Sequence, residues 1–116
     1  MMYPKRKIRK LIANGEYAEA IAFGKQIEAK HADDQDFLFI MGSAYFIVED
    51  AQTALEYFDR VLKIKGDDID ALKLKTNAHL ALNQKDDAVV TVSRVLEVRP
   101  DDAEAQALFD ELQGVT

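Results

Sequence analysis

Residues 38–58 read LFIMGSAYFIVEDAQTALEYF, and their spacing decides the fold. Leu38, Met41, Ala44 and Tyr45 recur at steps of three and four, which keeps them on one face of an α-helix. Ala54, Leu55 and Phe58, continued by Val61 and Leu62, do the same in the next segment. Between them Val48-Glu49-Asp50-Ala51 makes a short polar break. The stretch is therefore helix, tight turn, helix. Gly42 and Ala54 are small where the two helices must approach closely, and Tyr45 and Phe58 would fill the space beside them.

Working outward, the same pattern recurs when the chain is slid along itself so that Ala20 falls on Ala54 and Ala54 on Ala88. Ile21, Leu55 and Val89 then align, as do Ile27, Val61 and Val95. Leu11, Tyr45 and His79 share one slot, and Ile12, Phe46 and Leu80 the next. The breaks also repeat, at Asn14-Gly15-Glu16 and at Asn83-Gln84-Lys85-Asp86, with residues that tolerate the left-handed backbone ending a helix. Five glycines and two prolines are too few for a fold rich in strands and turns. The chain is expected to be all-α.

Asp33-Asp34, Asp67-Asp68 and Asp101-Asp102 keep the same period, each just before the first helix of a following unit. Aspartate there accepts hydrogen bonds from free amides and complements the positive end of the helix dipole. Pairs separated by a whole unit cannot converge on one metal ion, so capping is the expected role and no metal or cofactor is predicted.

On these residues, the chain resembles the tetratricopeptide repeat family. The middle unit shows Leu38-x2-Met41-Gly42-x2-Tyr45 and then Ala54-x3-Phe58. The third has Leu72, Thr76 for the glycine, His79 for the tyrosine, Ala88, Val92 and Pro100. The first keeps Gly15, Tyr17, Ala20 and Ile27 but has Pro4, Lys7 and Ile8 where large apolar residues and glycine are usual. The resemblance implies a right-handed α-solenoid of three helix-turn-helix hairpins. The repeats would span about 1–34, 35–68 and 69–102 of a single 1–116 domain. Residues 103–113 are too short for a fourth repeat and are expected to form a capping helix. Its apolar side is Ala105, Leu108, Phe109 and Leu112. That closing helix suggests a genuine C-terminal end, whereas the weak first hairpin suggests truncation at the start.

Net charge is −6 but uneven. The first ten residues carry five bases, and the other 106 carry ten bases and 21 acids, a net of −11. An acidic body argues against nucleic-acid binding. The basic start has no apolar stretch behind it, and no apolar run approaches a membrane span, so a cytoplasmic setting without membrane insertion is expected. Without cysteine, disulfides and zinc–thiolate sites are excluded. His31 and His79 have no carboxylate or serine at a catalytic spacing, and no phosphate-binding glycine loop occurs, so no enzyme is predicted. His79 is expected to be a core histidine satisfied by a neighbour.

Function should then reside on the surface. The resemblance implies a concave groove lined by the first helix of each hairpin. The first unit would present Lys5, Arg9, Ile12 and Ala13. The second would present Asp36, Phe39, Ser43, Phe46 and Ile47, and the third Asp70, Lys73, Asn77, Leu80 and Ala81. The predicted function is a protein-interaction module that binds a peptide or amphipathic helix of a partner. Phe39, Phe46 and Ile47 would be its apolar anchors, and Lys5, Arg9 and Lys73 would favour acidic residues in the partner. Core packing between adjacent hairpins is the competing reading for some of these three. Family members that hold chaperone C-termini use a five-residue carboxylate clamp. Here Lys5 matches, but Arg9, Ile40, Asp70 and Leu74 replace the other four, which argues against a clamp. The alternative function is self-assembly into a homo-oligomer through the degenerate first hairpin.

Overall fold

The computed structural model describes residues 3–114 and contains seven α-helices and no strand among them. They are α1 (Pro4–Ala13), α2 (Tyr17–Ile27), α3 (Gln35–Ile47), α4 (Ala51–Ile64), α5 (Ile69–Ala81), α6 (Lys85–Val98) and α7 (Ala103–Leu112). A short 3₁₀ turn, Glu28–His31, extends α2. The helices pair as antiparallel hairpins, α1 with α2, α3 with α4 and α5 with α6, and each hairpin stacks on the next. The product is an elongated right-handed α-solenoid of 51 × 24 × 20 Å.

The turns explain the sequence breaks. Gly15, Glu49 and Asn83 occupy the same slot of successive repeats, and all have positive φ, at 77°, 66° and 59°. The amide of the next residue then reaches back to the last helical turn each time. Glu16 donates to the Leu11 carbonyl at 2.8 Å, Asp50 to Tyr45 at 2.9 Å and Gln84 to His79 at 2.8 Å. Carbonyls that would otherwise lack partners are thereby satisfied. Glycine and asparagine suit this backbone, whereas Glu49 adopts it against its side chain's preference, held by the same bonds.

At the other helix ends, the second aspartate of each pair is the cap. Asp34 accepts from the amides of Asp36 and Phe37, Asp68 from Ala71 and Asp102 from Ala105. Asp50 caps α4 through the Thr53 amide.

The core shows why the repeats differ. In the middle hairpin, a Cβ added at Gly42 would lie 2.7 Å from the ring of Phe58, so the glycine is what admits the phenylalanine. In the first hairpin the large and small slots are exchanged. Ile8 occupies the glycine position and is fully buried, while Gly24 stands in the phenylalanine position. Met41 of α3 fills the space at Gly24, its Sδ lying where a Cβ would otherwise be. In the third hairpin both slots are intermediate, Thr76 with Val92. The Thr76 hydroxyl donates to the Leu72 carbonyl at 2.8 Å and pairs with the Thr91 hydroxyl at 2.7 Å, where it can accept, so its burial leaves nothing unpaired. His79 is also buried, and its Nδ1 pairs with Gln84 Oε1 at 2.8 Å.

α7 closes the stack. Ala105, Leu108, Phe109 and Leu112 pack over Leu72, Val92 and Val95, a cluster that would otherwise face water. At the first junction, Tyr57 donates to Glu28 of the 3₁₀ turn, and Arg60 adds a second bond at 3.2 Å. Burial alone would raise the Glu28 pKa, but the bonds from Tyr57 and Arg60, with the charge of Lys25, outweigh it and hold the carboxyl below its ordinary value. Burial and the same carboxylate push the Tyr57 phenol up.

Candidate binding groove

The first helices of the hairpins, α1, α3 and α5, meet one another in order along one side of the solenoid. Two clefts open between α3 and α5. One, of about 480 Å³, lies at the N-terminal ends of the helices and is lined by Asp34, Gln35, Asp36, Phe39, Asp68 and Asp70. The other, of about 590 Å³, lies at the opposite ends against the turns, lined by Phe46, Ile47, Glu49, Ala51, Ala81 and Leu82. A tight crevice between α5 and α7 is bordered by Lys73, Asn77, Glu104 and Leu108.

The expected anchors divide between core and surface. Phe39 is half-buried, its ring 6.1 Å from that of Phe58, and its open side faces the first cleft. Phe46 is half-buried against Ala51, Leu55 and Ala78 and borders the second cleft. Ile47 is 45% exposed beside it. Ile12 packs on the core cluster around Ile8, and Ser43 and Leu80 are half-buried. Asn77 is exposed at the crevice next to α7. Core packing thus takes part of Phe39 and Phe46, and Ile47 is the apolar side chain left open to water.

The three bases are held by this chain's own acids. Lys5 pairs with Asp34 at 3.0 Å and Asp36 at 3.5 Å, and Arg9 pairs with Asp36. Lys73 pairs with Asp102 at 2.7 Å. The hydrogen bond to Asp34, with the charges of Asp34 and Asp36, raises the Lys5 pKa against the opposing effect of burial. On the other side, burial would raise Asp34, but Lys5 and the capped amides bring it below its ordinary value. Lys73 and the Ala105 amide lower Asp102 likewise. The expectation of an acidic partner assumed free bases on α1 and α5, and the structure neutralises them. The sequence assigns capping to the Asp33-Asp34, Asp67-Asp68 and Asp101-Asp102 pairs, but shows neither that the second aspartate is the cap nor that the other oxygens of Asp34 and Asp102 take up lysines.

Of the positions compared with a carboxylate clamp, Ile40 is buried in the core and Leu74 is half-buried. Among the described residues no cluster of histidine, aspartate and glutamate could hold a metal ion, and no helix is long and apolar enough to cross a membrane.

A family model described as tetratricopeptide repeat matches residues 45–110. The first TPR of Spaghetti (RPAP3), solved bound to an HSP90 peptide SRMEEVD, superposes with a TM-score of 0.81. It is 23% identical, over 95% of this chain and 89% of that one. The second TPR domain of human RPAP3, in complex with the HSP70 peptide SGPTIEEVD, gives 0.84 at 16% identity over 95% and 92% of the two chains. A MamA double mutant, RS-1 ArsTM, gives 0.84 at 26% identity over 98% of this chain and 66% of that one. No curated protein matches the sequence.

Proposed function

The chain belongs to the tetratricopeptide repeat family, and from that premise we propose that it is a protein-interaction module whose groove along α1, α3 and α5 receives a peptide or helix of a partner protein. We take residues 1–116, the three repeats with their closing helix, as one binding unit. The observation that carries this reading is the run of Phe39, Phe46 and Ile47 along α3, bordering two open clefts against α5. Fully core-packed helices would leave neither cleft. The peptide complexes of the similarly folded RPAP3 domains support the same use of the fold here. Their acidic chaperone peptides are not the expected ligands, because Asp70 and Leu74 stand where a clamp needs cations and Lys5 is already paired.

Self-assembly through the first hairpin is the second reading. On its first helix, Arg6, Lys7 and Lys10 are exposed and alike in charge, with Lys7 lying 4.2 Å over the Phe23 ring. Two such faces repel across a two-fold axis. Light scattering over a concentration series, repeated with a pool of apolar peptides, separates the two. A monomer that gains mass with some of the peptides is expected. A stable dimer that ignores every peptide would overturn the groove reading in favour of assembly.

A further inference from the structure

We propose that the groove selects a cationic apolar segment, with an arginine entering the cleft over Phe39 and an apolar side chain three residues away reaching Ile47. The proposal rests on the groove reading and names its ligand.

The fold itself makes the N-terminal rim of the groove acidic. The first helices of the second and third hairpins, and α7 after them, each need a capping carboxylate, supplied by Asp34, Asp68 and Asp102. The first turn of each also carries an acid, Asp36, Asp70 or Glu104, which favours the positive end of the dipole. Lys5, Arg9 and Lys73 neutralise Asp34, Asp36 and Asp102. Among the described residues, Asp68, Asp70 and Glu104 have no cation within salt-bridge distance.

Asp68 spends its two oxygens on the Ala71 amide and on Gln35 Nε2 at 2.6 Å. Asp70 makes no such bond, is exposed, and lines the same cleft as the half-buried Phe39. A free carboxylate and an aromatic ring lining one cleft make a setting that a guanidinium matches. Its fork takes the two oxygens and its plane stacks on the ring. A lysine ammonium makes only a point contact there.

Phe39 stands seven and eight residues from Phe46 and Ile47, which border the second cleft, about 10–12 Å at the helical rise. An extended peptide covers about 10 Å in three residues, which sets the spacing between arginine and apolar side chain. The second cleft has only Glu49 as a charged lining residue, so an apolar side chain fits it and a carboxylate does not.

The test is fluorescence anisotropy with a short labelled peptide carrying arginine and, three residues on, leucine in a serine–glycine background. Three comparison peptides replace the arginine by lysine or glutamate, or the leucine by serine. The 1–116 chain is measured beside Asp70→Asn, Ile47→Ser and Asp87→Asn. All three substituted residues are exposed, and Asp87 lies on α6, away from the groove. The arginine–leucine peptide is expected to bind at least tenfold more tightly than the glutamate version. Asp70→Asn should weaken it about three- to tenfold and Ile47→Ser by a similar factor, with Asp87→Asn unchanged. Equal binding of the arginine and glutamate peptides, each lost with Ile47→Ser, overturns the charge selection and keeps the groove. Equal weakening by Asp70→Asn and Asp87→Asn shows attraction to the acidic chain as a whole and overturns the site. Binding by none of the peptides, or binding indifferent to Ile47→Ser, overturns the groove reading as well.

Discussion

Gly42 and Phe58 divide one volume between two helices, and the neighbouring hairpins divide the corresponding volume differently. A methyl group at position 42 would meet the Phe58 ring at 2.7 Å, inside any normal contact. Overpacking of this kind costs about 1–3 kcal/mol, so Gly42→Ala should lower unfolding stability in urea by that amount. Phe58 is fully buried, and Phe58→Ala should cost about 3–5 kcal/mol. The two changes are not independent. Phe58→Val gives the second slot the smaller side chain found at Val92, and should relieve the strain of Gly42→Ala. A double-mutant cycle should then show a favourable coupling of about 0.5–3 kcal/mol. Additive losses would mean that the close approach at Gly42 does not limit packing. The sequence shows the Gly42 and Phe58 slots by period alone. It does not show that Met41 crosses to fill Gly24, because that contact depends on how one hairpin sits on the next.

At the scale of elements, helices and turns were legible because they are local: apolar steps of three and four, a capping aspartate, and one break in every repeat. Glu49 was the concealed case. It sits in the left-handed slot of Gly15 and Asn83, and only the shared period points to it. The candidate groove's geometry was legible only in part. Phe39, Phe46 and Ile47 were placed by slot, whereas the loss of Lys5, Arg9 and Lys73 to internal ion pairs was not. Those pairs join residues far apart in sequence across helix junctions, where rotamers and register decide the partner. The closing role of α7 makes a prediction at this scale. Leu72, Val92 and Val95 depend on it for cover. A chain ending at residue 102 should therefore bind a hydrophobic dye and associate with rising concentration, which the full chain should not do. An unchanged dye signal would mean that the third hairpin buries this cluster unaided.

For the whole molecule, a solenoid held by neighbour contacts need not lose its structure all at once. The charged groups whose pKa values fold-dependent contacts displace lie towards its ends. Lys5–Asp34 and the Tyr57–Glu28–Arg60 group tie the first hairpin to the second, and Lys73–Asp102 ties α5 to the start of α7. Glu28, Asp34 and Asp102 all have folded pKa values below their ordinary 4.5, 3.8 and 3.8. Each therefore adds stability that is present above those ordinary values and is lost as pH falls through the lower folded ones. Lys5 has the opposite sign. Its raised pKa adds stability that is complete below 10.5 and disappears as pH rises through the folded value. Between these limits neither effect should change stability. Below about pH 4, however, the junctions at both ends weaken while the apolar contacts among α3, α4 and α5 persist. Hydrogen exchange at pH 3 and pH 6.5, corrected for intrinsic rates, should show α1, α2 and α7 losing protection before α3–α5. Simultaneous loss across all seven helices would instead mean that the hairpins unfold as one unit and that the end pairs do not set local stability.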